Sequence, residues 1–195
     1  MNRAPITTVT NWTKTTYRVG DGRRCVWMVP QVMDWNCYTY DKENRAPTMD
    51  EMIVMSYLSL IEGARGMIYY SYFDLQRDSM GFDKRWADVM VMGKEIEKLI
   101  PAALSLEKPE RLGVDCNKDI NVKYALKADD NKNTYVLLAN VNKTKATVIK
   151  VSIPAGRRVE ILRHANLSDV TSDVKSGKLT ITLPPTQAAS VIVYR

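Results

Sequence analysis

The chain predicts a fold of class α/β plus all-β, an αβαβα segment over residues 1–105 followed by an antiparallel β-sandwich over 106–195. Three observations predict it. Residues 48–74 read as one complete helix feeding an aromatic strand. A second apolar run, residues 25–30, lies upstream behind a helical segment. After Ser105 the hydrophobic pattern changes from helical spacing to short alternating runs.

Residues 7–19 are Thr-rich but read as helix, and Gly20, Asp21 and Gly22 introduce the run Cys25, Val26, Trp27, Met28, Val29, Pro30, a strand that stops near Gln31. Residues 33–46 form a polar loop carrying Trp35, Tyr38 and Tyr40, longer than most strand-to-helix connections and so a place for function. Thr48 is a candidate N-cap, and Glu51 three residues on completes a capping box behind Pro47. Met52, Met55, Leu58, Leu60 and Ile61 follow at mostly helical spacing with few charges, which predicts a helix covered on most sides. Gly63 and Gly66 supply the turn that stops it, and Met67, Ile68, Tyr69 and Tyr70 read as a buried parallel strand. An unbroken helix through Tyr72 is the competing reading, and it carries two interior glycines at roughly 1 kcal/mol each. A third helix is predicted over 83–104, with Trp86, Val89, Met90, Gly93, Ile96, Leu99 and Ile100 on one face. Trp27 and Trp86 are expected in the core.

Beyond the polar stretch Glu107, Lys108, Pro109, Glu110, strands are predicted at 120–128, 135–141, 146–153, 159–162, 179–183 and 190–194. The composition, 45% apolar and 26% charged over 195 residues, is that of an ordinary globular protein with room for two small domains. The longest apolar runs fall short of the ~20 residues of a membrane span. The first residues lack the hydrophobic centre of an export signal, so none is expected. Cys25, Cys37 and Cys116 form an odd, widely spaced set, and with a single histidine, His164, neither a metal site nor a disulfide framework is predicted. No cofactor is expected, and Ser71 has no histidine near it for a hydrolase triad. Three glycosylation-type triplets, at Asn11, Asn142 and Asn166, are assigned no role.

The net charge of +6 comes wholly from the second half: residues 1–105 hold 13 Lys and Arg against 13 Asp and Glu, and residues 106–195 hold 15 against 9. The lysines are dispersed and stacking aromatics are few there, which fits a solvated face; neither a nucleic acid nor a membrane is expected as partner.

The passages VWMVPQVMDW (26–35) and RAPTMDEMIVMSYLSLIEGARGMIYYSYFD (45–74), then a helix and a sandwich, resemble the C-terminal end of glycoside-hydrolase-like (β/α)8 proteins with a trailing β-sandwich. The resemblance implies a partial (β/α)8-type barrel piece of two βα units, the seventh and eighth strands, with ligands over the carboxyl ends of the strands. A barrel of about 250 residues needs six more strands. The piece is therefore expected to be a fragment, or to associate through open sheet edges as a homo-oligomer.

The implied partner is carbohydrate. Retaining glycosidases place two carboxyl groups about 5–5.5 Å apart and inverting ones about 6.5–9.5 Å apart. In the largest glycosidase clan of this fold, the resemblance implies, the acid/base glutamate belongs to the fourth strand, which is absent here, and the nucleophile glutamate ends the seventh. Gln31 stands at that end, and an amide is no nucleophile, which leaves Asp34 as the nearby carboxylate. Asp34 has a bland alternative, capping the loop or pairing with Arg45. Trp35, Tyr38, Tyr70, Tyr72 and Asp74 are expected to gather at one rim, where aromatic planes stack on sugar C–H faces and acids take hydroxyls. For Tyr69 and Tyr70 the alternative is core packing. Catalysis by the chain alone is not expected.

Overall fold

A computed structural model describes residues 4–21, 23–39, 44–162, 171–175 and 177–195. Tyr40, His164 and Asn166, singled out above, lie outside the described residues. The chain divides into two compact units, Met1–Glu97 and Lys98–Arg195.

The first unit begins with α1 (Thr8–Val19), β1 (Trp27–Met28), α2 (Asn36–Thr39) and α3 (Met49–Ile61), and continues through β2 (Gly66–Met67), α4 (Tyr72–Leu75) and α5 (Phe82–Glu97). Helix α1 tolerates its threonines partly because two of them bond back along the helix: Thr13 donates to the Val9 carbonyl at 2.7 Å and Thr16 to that of Trp12 at 2.9 Å. Helix α3 opens with the expected capping box, Thr48 and Glu51 each satisfying the other's backbone amide at 3.2 and 2.9 Å. It is buried from Met52 to Leu60 save Met55, and α1 and α5 pack against it on either side. Its two buried serines return their hydroxyls to the helix, Ser56 to the Met52 carbonyl and Ser59 to that of Met55, both at 2.9 Å. Tyr57 reaches α5 through a buried bond to Glu95 at 2.9 Å.

β1 and β2 pair in parallel, Trp27 beside Gly66 and Met28 beside Met67. Both strands are shorter than the sequence predicts, and β2 is only half-buried. Val26, Met28 and Pro30 are buried, whereas Trp27, Val29, Ile68 and Tyr70 are more than half exposed. Trp27 and Trp86 are thus exposed, against the core expectation. For Trp27 the reason is topological: a parallel sheet is normally covered on both faces, and among the described residues each of these two strands pairs only with the other. Trp86 lies on α5 and packs against Tyr72 and Phe82 at the surface. Gly63 sits at φ +103° and makes the turn after α3, as glycine can. Gly66 has another role, because a Cβ there would lie 2.7 Å from the Trp27 indole. Gly66→Ala is expected to displace that ring and cost about 1 kcal/mol, read from the denaturant midpoint with the slope unchanged.

The helix predicted over 83–104 is broken. Helix α5 ends at Glu97, and α6 (Ile100–Leu104) begins a new first turn at Pro101, where a missing N–H is tolerated. Helix α6 belongs to the second unit.

Among the described residues eight strands follow: β3 (Val114–Asp115), β4 (Val122–Ala128), β5 (Thr134–Asn140), β6 (Thr147–Ser152), β7 (Val159–Leu162), β8 (Thr171–Lys175), β9 (Lys178–Leu183) and β10 (Gln187–Val193). They form two four-stranded antiparallel sheets, β4-β5-β10-β7 and β3-β6-β9-β8. Strand β6 alternates as its sequence does, with Thr147, Ile149 and Val151 inward and Val148, Lys150 and Ser152 outward. Inward residues of both sheets, among them Val136, Leu138, Ile149, Val151, Leu179, Ile181 and Val191, make one core. The central strands β5 and β10 are buried at every position, and α6 lies against β4, the neighbour of β5. The turn between β4 and β5 closes on Asp129, whose carboxylate accepts the Asn133 amides, backbone and side chain, both at 2.9 Å.

Burial of Tyr135, and next the charge of Asp129, pushes its phenol up to about 12. A group raised above the ~10 of an unfolded tyrosine contributes stability that is complete below that pH and lost as pH rises toward 12. Stability is therefore expected to fall between about pH 10 and 12, and Tyr135→Phe to flatten that decline in alkaline denaturation curves.

Candidate functional site

The parallel register of β1 and β2 continues past the strands, since Gln31 and Tyr70 form a parallel bridge. The two following loops therefore leave from the same end of the sheet. In the first, Asp34 is buried and its Oδ1 accepts the Asn36 backbone amide at 2.9 Å, which starts α2. In the second, Ser71 caps α4 by accepting the Asp74 amide at 3.3 Å.

Helix α2 carries Tyr38 across to the second loop, where its hydroxyl donates to Asp74 Oδ1 at 2.7 Å. Ser71 donates a second hydroxyl to Oδ2 of the same carboxylate. Asp74, only 3% exposed, thus sits between two hydroxyl donors. The bond to Asp74, then one to Tyr70, raises the Tyr38 phenol far above the ordinary tyrosine range and keeps it protonated. The Cys37 thiol contacts the Asp74 carbonyl at 3.7 Å, and burial followed by Asp34, Asp74 and Asp78 raises its pKa, so it is no thiolate nucleophile at neutral pH. Trp35 and Tyr38 lie with ring centroids 6.0 Å apart at 53°.

The expected site residues fall into two groups. Trp35, Tyr38, Tyr70 and Asp74 meet directly, with Asp34 at the root of the same helix. Tyr72 packs instead edge-on against Phe73, Phe82 and Trp86, at 5.8, 5.4 and 5.4 Å. Gln31 lies at the base and donates its amide to the Met33 carbonyl at 2.7 Å. Asp34 takes the loop-capping bond, while Arg45 makes a two-pronged pair with Glu51, both contacts 2.6 Å. Tyr69 turns to the helices, 3.0 Å from the Ser56 hydroxyl, and Tyr70 faces outward. Ser71 and Cys37 were not expected at the site. The spacing Ser71-x-x-Asp74, a helix-start pattern, is the signal that finds the serine. Among the described residues no cluster of three or more His, Cys, Asp or Glu could hold a metal ion, and no helix is long and apolar enough to cross a membrane.

No protein-family model matches the chain, and no curated protein matches it in sequence. Solved structures do match in fold. The chain is similar to a GH27 β-L-arabinopyranosidase from Geobacillus stearothermophilus, with a TM-score of 0.53 and 15% identity, over 86% of this chain and 36% of that one. A variant of that enzyme in complex with arabinose gives the same likeness. The α-amylase from H. orenii matches with a TM-score of 0.55 and 12% identity, over 97% of this chain and 47% of the amylase. A GH30 endoxylanase from Clostridium papyrosolvens C71 matches with a TM-score of 0.50 and 13% identity, over 96% and 46%. The chain spans less than half the length of each of these enzymes. At such identity the likeness is one of architecture, and it is to glycoside hydrolases each time: this chain has a mixed α/β, glycoside-hydrolase-like fold.

Proposed function

We propose that the chain is the C-terminal portion of a glycoside-hydrolase-like protein: two βα units of a (β/α)8-type barrel, then a β-sandwich. Its rim of Trp35, Tyr38, Tyr70 and Asp74 binds carbohydrate. The observation that carries this reading is the bond from Tyr38 to Asp74, which joins two loops leaving the carboxyl ends of adjacent parallel strands, the place where such barrels hold ligands. Tyr38 and Tyr70, each about half exposed, offer apolar planes with polar edges, and a buried carboxylate stands behind them. The chain is not catalytically complete. Glycoside cleavage needs an acid and a base or nucleophile, while Asp74 is engaged by two hydroxyls and Asp34 by a backbone amide. On a glycan array the chain is expected to retain sugars and to release no aryl aglycone from aryl glycosides. Turnover abolished by Asp34→Asn would overturn the non-catalytic part.

A second reading, a non-catalytic module that self-associates, is favoured by a different observation. Trp27, Val29, Ile68 and Tyr70 form an exposed apolar stripe on a sheet whose two strands pair only with each other among the described residues. Size-exclusion chromatography with light scattering at micromolar concentration is expected to give a mass above that of one chain. A strict monomer removes this reading. Glycan binding that survives Trp35→Ala would move the sugar site to the second unit.

A further inference from the structure

The loops that carry the candidate site are joined a second time, behind it, by a buried arginine. Arg85, on α5, is 1% exposed. Its Nη1 donates to the Pro47 carbonyl at 2.7 Å, and its Nε donates to Asp78 Oδ2 at 3.1 Å. Pro47 ends the return of the first loop, just before the Thr48 cap of α3. Asp78 lies just past α4, where its amide bonds to the Leu75 carbonyl and its Oδ1 accepts the Met80 amide at 2.9 Å. Asn36, at the start of α2, donates its side-chain amide to the Asn44 carbonyl at 2.9 Å, so the near and far limbs of the first loop are also tied.

We propose that Arg85 is a positioning residue for the candidate site: by tying Pro47 to Asp78 it sets the separation across which Tyr38 reaches Asp74. The connections form a closed circuit. From Tyr38 the path runs through α2 and Asn36 to Asn44 and Pro47, across the guanidinium to Asp78, back through α4 to Asp74, and across to Tyr38. Two loops tied only through Tyr38 and its neighbour Cys37 could drift apart by an ångström, and a hydrogen bond of 2.7 Å tolerates little of that. A guanidinium suits this task, because its planar fork addresses a carbonyl and a carboxylate at once in fixed geometry; an ammonium offers a single point charge. The role is distinct from stabilising the unit as a whole, and the two are separable by experiment.

The test is ultraviolet titration of Tyr38, isolated as the difference between each protein and its own Tyr38→Phe counterpart, alongside the thermal midpoint. Tyr38 faces Asp74 and Tyr70, so its phenol reports whether that contact is intact. In Arg85→Lys, which keeps the charge but loses the fork, Tyr38 is expected to ionise at least one pH unit lower, a tenfold change in the equilibrium. The double variant Asp78→Leu with Arg85→Met removes both charges together, so no lone charge is left buried. It is expected to fold and to show the same or a larger shift. Asp78→Asn loosens the tie from its other end and serves if the Arg85 variants do not fold. A thermal midpoint that falls while Tyr38 titrates as in the parent would assign Arg85 to stability alone and overturn the proposal. The inference rests on Tyr38 and Asp74 forming the site. Because titration needs no sugar, a chain that shifts as expected yet binds no glycan would sink the functional reading and leave Arg85 only as the tie that sets the contact between Tyr38 and Asp74.

Discussion

Leu138→Ala is expected to cost about 3–5 kcal/mol, the largest single stability loss in the second unit. Leu138 sits on β5, between β4 and β10, with no solvent exposure, and it belongs to the core shared by both sheets. Its neighbours there, Val136, Ile149, Ile181 and Val191, are fully buried β-branched residues with stiff side chains, so the site cannot collapse to fill the vacated volume. The loss then includes both the transfer of the removed methyl groups and an unfilled cavity. In a unit of this size each kcal/mol lowers the midpoint by roughly 4–8 °C, so calorimetry should show the transition of this unit shifted by more than ~12 °C. Leu138→Met, which conserves volume, should cost under ~1.5 kcal/mol. Equal losses for the two substitutions would mean that packing at this position is not what holds the sheets together.

Trp35→Ala is expected to lower the affinity for a bound oligosaccharide about tenfold or more, near 1.4 kcal/mol, with little change in stability. The indole is half-buried beside Tyr38 and lies in the loop after β1, outside the fully buried core of α3. Removing it deletes one wall of the aromatic rim and leaves the bond from Tyr38 to Asp74 in place. Tyr38→Phe makes the complementary change, since it keeps the plane and deletes the hydroxyl that Asp74 accepts. Isothermal titration of the parent and both variants separates stacking from hydrogen bonding. Undiminished affinity in Trp35→Ala would detach the sugar site from this rim.

Much of the secondary structure was legible because its signals are local. Thr48 and Glu51 announce the start of α3 three residues apart, and Gly63 its end, since caps and turns are decided by neighbouring backbone groups. The alternation in β6 reads directly as one face in and one face out. Where the sequence misled, the apolar spacing alone was too weak a guide. The break between α5 and α6 does not show in the apolar spacing, which runs through Pro101, although the proline itself marks it. β3 is two residues long and β8, Thr-Ser-Asp-Val-Lys, is mostly polar, so neither stands out without the strands beside it.

The site shows the same division. That Trp35, Tyr38, Tyr70 and Asp74 would share a rim follows from two parallel strands with loops at one end, and the order of elements along the chain is enough to expect it. Which side chains touch is set by loop paths. Tyr72 follows Tyr70 by two residues yet packs on Phe82 and Trp86, because α4 begins at Tyr72 and turns its ring toward α5. Asp34 spends an oxygen on its own helix, and Arg45 pairs with Glu51. The sequence by itself determined the succession α1, β1, α3, β2, α5, the parallel pair and the aromatic, acidic character of its carboxyl end, while the short helices α2 and α4 went unread. Tertiary structure alone decided that Asp74 lies between two hydroxyls, that Arg85 spans the loops and that Trp27 faces outward. Propensity and capping act over three or four residues, whereas burial and hydrogen bonding at these positions join groups more than thirty residues apart, as Tyr38 is from Asp74 and Pro47 from Arg85.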